Sequence, residues 1–301
     1  MKYPFKQFKA DYPDDDSCLE AIFKLRFGEA PTCPGCGVVE SKFHRVANRK
    51  AFACQWCGHH ISPCADTIFA KSSTPLTQWF HAMYLMTATR NGVSAKEIER
   101  QLGVTYKCAW RIGHELRKLM TICEEGDKSL MGHVEIDETY VGGKEKNKHA
   151  SKRVAGTQGG GSGKTKSIVF GMLERGDKVR CTVVKDTKRN TLVPIIYHNV
   201  AVGTEISTDE NIAYSKLREG GYLHKAVLHG QKEYVRGKVH INGMEGFWKH
   251  LKNGIGSTHV HVSAKHLQKY VNEFSFRYNH RKEPAEMFRK LISSVGKKLP
   301  D

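Results

Sequence analysis

Two aspartates end predicted strands and could bind a metal ion together. Asp137 ends the strand in HVEIDETYVGG, and Asp209 directly follows the strand GTEIS much later in the chain. Carboxylates at the ends of strands in one sheet can lie close together, and their oxygens are suitable ligands for hard divalent cations. Two like charges brought together without a cation would repel each other, which also favours a metal site.

The segment HINGMEGFWKHLK offers further groups for the same chemistry. Asn242, Glu245, Lys249 and Lys252 are separated by steps of three, four and three residues, so on a helix they project from one side. This face could supply a third metal ligand. Two Mg²⁺ ions about 4 Å apart would activate an attacking hydroxyl and stabilise a leaving oxygen, while a lysine binds a phosphate. The combination suits phosphodiester chemistry.

Each of these residues also has a structural explanation. Asp209 could cap the following helix, Asp137 could pair with a lysine, and Glu245 with Lys249 could form an exposed ion pair. However, the order Asp, Asp and helical Glu coincides with a predicted order of strand, strand, strand, helix, strand, helix, strand and helix. This coincidence predicts an RNase H-like fold.

Four cysteines have the spacing of a zinc ribbon. Cys33 and Cys36 form one C-x-x-C pair, Cys54 and Cys57 form a second, and seventeen residues separate the two pairs. A glycine beside each pair allows a tight turn around the metal. Four thiolates complete a tetrahedral site, so we expect one structural zinc ion rather than a catalytic one.

The composition favours a polyanionic partner. The chain has 301 residues, with 48 Lys and Arg against 31 Asp and Glu, a net charge of +17 and a pI near 9.4. Nucleic acid is the leading candidate. No apolar run reaches about 18 residues and the N-terminus lacks the apolar core of a signal peptide, so we expect no membrane partner and a cytoplasmic, nucleoid-associated protein.

The segment SAKEIERQLGVTYKCAWRIGHELRKLM predicts a helix, a glycine turn and a second helix. Its inward-facing apolar residues leave one set of side chains at the start of the second helix free to enter a major groove. These DNA-binding candidates are Thr105, Tyr106, Lys107 and Arg111, with Trp110 as the least secure member. The alternative is a helical hairpin that only packs against its neighbours.

The stretch AGTQGGGSGKTKSIVFGML is not a nucleotide-binding loop. Such a loop needs G-x-x-x-x-G-K-[ST] between a strand and a helix, whereas Gln158 occupies the first glycine position and a strand-like run follows. We therefore expect no nucleotide cofactor. The basic segment between Lys144 and Lys166 instead predicts a mobile loop that orders on DNA phosphates, with a solvated loop as the alternative.

These elements predict a multidomain α+β protein. We expect an N-terminal helical segment over residues 1–30, a zinc ribbon over 31–70, a helical helix-turn-helix DNA-binding region over 71–128, and an RNase H-like α/β catalytic domain with a mixed five-stranded sheet over 129–301. Within the last domain the patterns predict strands at 133–141, 166–174, 179–185, GTEIS and KAVLH, and helices at 190–200, 211–219 and from Asn242 and Ser263.

Together the motifs resemble a bacterial insertion-sequence transposase of the zinc-ribbon-bearing DDE superfamily, of the ISXO-like type. The likeness extends over nearly the whole chain, and IDETYVGGK and INGMEGFWKHLK are its most specific parts. The resemblance implies Asp137 and Asp209 as metal ligands, with the third between Asn242 and Glu245. Glu245 is preferred because a carboxylate binds Mg²⁺ more strongly and Lys252 follows two turns later, as the family's trailing lysine does.

The resemblance implies cleavage and rejoining of DNA strands with Mg²⁺ or Mn²⁺. Hydrolysis at the ends of a mobile element would be followed by attack of the freed 3′-hydroxyl on target DNA. The N-terminal modules would bind terminal inverted repeats, and joining two ends requires a homodimer or higher homo-oligomer. The alternatives are a non-enzymatic DNA-binding regulator and an RNase H-like nuclease that does not rejoin strands.

Overall fold

A computed structural model describes residues 3–124, 126, 128–143, 147, 149–153, 165–231 and 233–297. Their contacts form two compact units, Met1–Glu125 with His280–Asp301, and Gly126–Asn279. The first is called the N-terminal unit and the second the central unit. Most of the basic segment between Lys144 and Lys166, including Gln158, lies outside the described residues, so the idea that this segment orders on DNA stays a prediction.

Helices and strands occur in both units. The helices are α1 (Phe5–Asp11), α2 (Asp15–Phe27), α3 (Leu76–Ala88), α4 (Ala95–Leu102), α5 (Tyr106–Cys123), α6 (Arg189–Asn199), α7 (Asn242–Gly254), α8 (Leu267–Asn279) and α9 (Glu286–Ser293). The strands are β1 (Phe43–Arg45), β2 (Phe52–Cys54), β3 (His60–Ile61), β4 (His133–Val141), β5 (Ser167–Glu174), β6 (Val179–Val184), β7 (Glu205–Thr208) and β8 (Leu223–Ala226).

The central unit contains the mixed five-stranded sheet that the sequence predicted. Its strand order is β6-β5-β4-β7-β8. β4 pairs antiparallel with β5 and parallel with β7, while β6 and β8 form the two edges. Side chains from both faces of β4 are buried, as its central position between β5 and β7 requires. This is the RNase H-like arrangement, in an α+β chain.

Helices cover both faces of this sheet. Val134, Ile136 and Phe170 pack with α6, and the opposite face packs with α7 and α8. Since neighbouring residues of a strand point to opposite faces, Glu135 and Asp137 of β4 face α7. The sheet therefore places the first candidate ligand under the helix that carries Glu245.

Three predictions for the central unit differ from the structure. The predicted bounds of β4, 133–141, are confirmed, but Asp137 lies at the middle of this strand and not at its end. Residues 211–219 form a short 3₁₀ turn at Ile212–Tyr214 and further turns rather than a helix. β8 begins at Leu223, two residues before the predicted strand KAVLH, because its pairing with β7 starts opposite Glu205.

The C-terminal boundary of the predicted catalytic domain also differs. The prediction placed 129–301 in one domain, whereas His280–Asp301 belongs with the N-terminal unit. The cause is aromatic packing by α9: the Phe288 ring lies 5.7 Å from Phe8, 5.7 Å from Tyr12 and 6.5 Å from Phe80. Such burial of an aromatic side chain contributes roughly 2–3 kcal/mol. The sequence interpretation had no helix at this position.

Helices α4 and α5 form the predicted helix pair. The Ser94 hydroxyl accepts a hydrogen bond from the Glu97 backbone N–H and caps α4. Gly103 then adopts a left-handed conformation with φ 65°, and the Thr105 side chain caps α5. Ile98, Leu102 and other apolar residues are buried. The local geometry matches the prediction, and a role on DNA stays a prediction.

Within the described residues no helix is long and apolar enough to cross a membrane.

His224 on β8 is a buried histidine that should make the stability of the protein depend on pH. Its ring nitrogen lies 2.9 Å from the Thr208 hydroxyl, and burial lowers its pKa to about 4. The folded protein therefore keeps this imidazole neutral where the unfolded chain protonates it, so stability falls as the pH decreases from about 6.5 towards 4. Between pH 7 and pH 4.5 we expect a loss on the order of 2 kcal/mol from this residue.

Calorimetry of the full chain at several pH values measures this effect. His224→Gln removes the titrating group and should flatten the acid limb of the melting-temperature curve. His198→Gln, at an exposed position on α6, is the control and should retain the wild-type curve. If the melting temperatures of the His224 variant and the wild type depended on pH in the same way, His224 would not be the cause of the acid destabilisation.

Candidate active site

Three carboxylates meet in the central unit. One oxygen each from Asp137, Glu138 and Asp209 lies within 4.8 Å of the other two. The parallel pairing of β4 with β7 aligns Glu135 with Ser207, so Asp137 and Asp209 come level on adjacent strands. Asp209 follows the last residue of β7, as the sequence predicted. The structure thus brings together two predicted ligands and adds Glu138.

Glu138 and Asp209 are held by the turn that follows β7. The Asn211 amide donates to Glu138 Oε1 at 3.2 Å, and the Asn211 backbone N–H donates to Asp209 Oδ1 at 3.0 Å. The buried Tyr214 hydroxyl lies beside the Glu138 carboxylate and makes no hydrogen bond of normal geometry within the described part of the chain. A bound cation would coordinate the Glu138 and Asp209 carboxylates, and one of its water ligands could accept a hydrogen bond from the Tyr214 hydroxyl.

The electrostatics of the cluster fit a divalent cation. Burial raises the pKa of Asp137 to about 7, with a contribution from the charges of Asp209 and Glu245. Burial likewise raises the pKa of Glu138 to about 7. Both shifts show that ionised carboxylates at this position are costly without positive charge, and a cation would reverse that cost.

A cavity of about 670 Å³ opens beside the cluster. Its lining residues from β4 and α7 include Asp137, Glu138 and Glu245, together with Lys166, Trp248, Lys249, Lys252 and Asn253. Glu245 and Lys252 therefore face the same space as Asp137, as the helical spacing predicted. Asn242 is exposed at the start of α7 and is not among these lining residues.

A buried ion pair fixes the start of α7 on the sheet. Glu135 is 1% exposed; its Oε1 accepts from the Arg175 Nε at 2.6 Å and its Oε2 accepts from the Met244 backbone N–H at 2.9 Å. Arg175 also donates to the carbonyls of Lys238 and His240, which lie in the loop before α7. This network sets the height of α7 above β4 and satisfies the buried charge.

The four predicted zinc ligands converge in the N-terminal unit. Their sulfur atoms lie within 4.8 Å of one another, with Sγ–Sγ distances of 3.6 Å for Cys33 and Cys57 and 4.0 Å for Cys36 and Cys54. A tetrahedral zinc–thiolate site requires sulfur separations of about 3.8 Å. Gly37 and Gly58, with φ 72° and 70°, close the two turns. The cluster supports a zinc ion.

The predicted DNA-binding side chains lie at the exposed start of α5. Thr105, Tyr106, Lys107 and Arg111 are all exposed. The Lys96 ammonium lies 5.0 Å from the centre of the Tyr106 ring, and the Arg111 guanidinium lies 5.9 Å from the Trp79 ring. These residues are available to a partner, and their contact with DNA stays a prediction.

Sequence reasoning missed several residues at the acidic site. Glu138 follows Asp137, and strand alternation places adjacent side chains on opposite faces, so that rule argued against its joining the cluster. Its approach to Asp209 depends on the turn at Asn211, which the sequence interpretation treated as a helix. Trp248 had a usable signal, because it lies three residues after Glu245 and so on the same side of α7.

A mixed five-stranded sheet bearing clustered carboxylates, joined in one chain to a four-cysteine ribbon, defines an RNase H-like protein with a zinc ribbon. Residues 129–279 match the family model of the ISXO2-like transposase domain, and residues 13–60 match that of the transposase zinc-ribbon domain. The chain belongs to the ISXO2-like transposase family.

Relatives were found by sequence and by structure. A protein of transposable element ISH50 from Halobacterium salinarum is 27% identical over 281 residues, covering 90% of this chain and 93% of the relative. A transposase-like protein from Haemophilus influenzae is 27% identical over 117 residues, covering 38% and 94%. The pre-cleavage Mos1 transpososome matches with 11% identity and a TM-score of 0.28, covering 73% of this chain and 79% of that chain.

The zinc site generates a direct test. Cys36→Ser removes one exposed ligand without disturbing a packed core, so the protein should lose its zinc and the N-terminal unit should melt at a lower temperature. Elemental analysis should find about one zinc per wild-type chain. Cys108→Ser, at a half-buried cysteine outside the cluster, should keep the metal. Full zinc content in the Cys36 variant would refute the four-thiolate site.

Proposed function

We propose that this protein is a DNA transposase that binds the terminal inverted repeats of its element and catalyses strand cleavage and strand transfer. The observation that carries the proposal is the approach of the Asp137, Glu138 and Asp209 carboxylates to within 4.8 Å of one another. They line or adjoin a cavity that also contains lysines, as a site for a metal ion and a phosphate requires.

Each group has a specific task in this proposal. Asp137 and Asp209, with Glu138, would hold a divalent cation, and Glu245 would add a carboxylate from α7. Mg²⁺ or Mn²⁺, as two ions, would supply activation of the attacking hydroxyl and stabilisation of the leaving oxygen. Lys249 and Lys252 present ammonium groups to the same cavity and would orient the scissile phosphate.

The N-terminal unit would supply recognition of the element ends. The zinc ribbon stabilises a small module that lacks a large core, and the exposed start of α5 carries Thr105, Tyr106, Lys107 and Arg111. The net charge of +17 favours binding to DNA phosphates, so the protein would act on chromosomal DNA in the cytoplasm. Because two ends must be joined, at least two copies would act together.

Asp137→Asn tests the enzymatic proposal. The substitution keeps the size of the side chain and removes its charge, so cleavage of DNA carrying the element ends should fall by at least about 10³-fold while DNA binding is retained. Asp177→Asn makes the same chemical change at an exposed turn between β5 and β6 and should cleave normally.

The rival functions give different results in the same experiments. A regulator would show no cleavage in the wild-type protein and would keep its operator binding after the Asp137 substitution. A nuclease without strand transfer would cut the ends but give no joined product from pre-cut ends and target DNA. Either result would overturn the transposase proposal.

The third ligand can be identified by paired substitutions on α7. Glu245 lines the cavity and Asn242 does not, so Glu245→Gln should lower cleavage by about 10²-fold or more, while Asn242→Ala should change it by less than about threefold. Cleavage rates at several Mn²⁺ concentrations measure both variants. The reverse pattern, loss with the Asn242 variant only, would assign the ligand to Asn242.

A further inference from the structure

Trp248 makes a polar contact with the first carboxylate of the site. Its indole Nε1–H donates a hydrogen bond to Asp137 Oδ2 at 3.0 Å. The side chain is 4% exposed and packs with the core beneath α7. A carboxylate has about four lone-pair positions, so the bond to the indole still leaves room for a cation on Asp137.

Gly171 on β5 makes the space for this contact. It pairs directly with Asp137 across the β4–β5 ladder. A Cβ atom at Gly171 would lie 2.6 Å from Cη2 and 2.7 Å from Cζ2 of Trp248, and 2.5 Å from the Met244 methyl group. These separations are too short for any side chain. The glycine is therefore required by the close approach of the indole ring, which lies across the strand beside Asp137.

The contact also joins two elements that carry proposed metal ligands. Trp248 lies between Glu245 and Lys252 on α7, and all three side chains line the cavity with Asp137. Two residues earlier, on the same face of β4, the Glu135 carboxylate accepts a hydrogen bond from the Met244 backbone N–H. α7 is thus attached to β4 at two successive inward-facing residues, and the second attachment acts on a ligand carboxylate itself.

We propose that Trp248 is a positioning residue that fixes the orientation of the Asp137 carboxylate for metal binding, and that Gly171 is present to admit its ring. The inference rests on the proposed function, since it assigns Asp137 to the metal site. Hydrogen-bonding partners of metal ligands restrict ligand rotation, and their removal lowers metal affinity or activity by about 10- to 100-fold.

Trp248→Phe provides the main test because it keeps an aromatic ring and removes the N–H donor. The Kd for Mn²⁺, measured by calorimetry on the DNA-free protein, should rise about tenfold or more, with a matching rise in the Mn²⁺ concentration for half-maximal cleavage. Excess metal should restore part of the cleavage rate. Phe247→Leu, a packing change at the preceding residue, should lower the melting temperature and leave the Kd unchanged.

Gly171→Ala tests the same contact from the other strand. The added methyl displaces the indole, so metal binding should weaken as in the Trp248 variant. In the double variant the smaller phenyl ring leaves room for the methyl, so the two effects on Kd should not add. Independent, additive effects, or an equal loss of metal affinity in Phe247→Leu, would show that only packing is involved.

A measurement on the unsubstituted chain covers the case in which Trp248→Phe does not fold. The ¹⁵N indole signal of Trp248 should shift when Mg²⁺ is added, since its acceptor binds the ion. Substitution of the other three tryptophans, Trp56, Trp79 and Trp110, assigns that signal. An unmoved signal, or a Kd in Trp248→Phe within about twofold of wild type, overturns the inference.

The proposed function fails separately from this inference. It fails if Asp137→Asn retains cleavage. If that variant is inactive while Trp248→Phe binds Mn²⁺ normally, the transposase proposal survives and only the positioning role of Trp248 is rejected.

Discussion

Repulsion among carboxylates is the main physical constraint on the structure of the central unit. Two ionised groups within 4.8 Å of each other in a partly buried site repel by at least about 3 kcal/mol at an effective dielectric constant of about 20. Repulsion in three such pairs would offset much of the free energy of unfolding of an ordinary domain, which is about 5–15 kcal/mol. The arrangement is tolerable with protons or cations bound, and the raised pKa values of Asp137 and Glu138 express the same cost.

The rest of the unit keeps these groups together despite the repulsion. Parallel pairing of β4 with β7 brings Asp209 to the level of Asp137, and Asn211 holds Glu138 and Asp209 from the adjoining turn. On the opposite side, the ion pair of Glu135 with Arg175 holds α7 in place. Backbone pairing, a turn and a buried ion pair therefore together hold the carboxylates in place. A single hydrogen bond is too weak to offset their repulsion.

Local sequence patterns were sufficient for features that depend on neighbouring residues. The cysteine pairs, the two helices around Gly103 and the side of α7 that carries Glu245 and Lys252 all follow from short spacings, because metal coordination, turns and helix faces repeat at fixed intervals. The mixed five-stranded sheet also followed, since the succession of strands and helices matched an RNase H-like fold.

Features that depend on distant contacts were not predictable from those patterns. Glu138 joins the aspartates only because the chain turns at Asn211, and the expected helix over 211–219 is replaced by turns that bury Tyr214. No local pattern indicated that residue 171 must be a glycine, because this requirement comes from the close approach of Trp248 on α7.

The return of α9 to the N-terminal unit has a consequence for biosynthesis. Phe288 completes an aromatic cluster with Phe8, Tyr12 and Phe80, yet it leaves the ribosome after the whole of Gly126–Asn279. During translation the internal unit can finish folding first, while the unit that was synthesised earliest must wait for its last helix. A premature stop codon just before α9 would thus leave the residues of the acidic cavity in place but remove Phe288 from its cluster with Phe8, Tyr12 and Phe80.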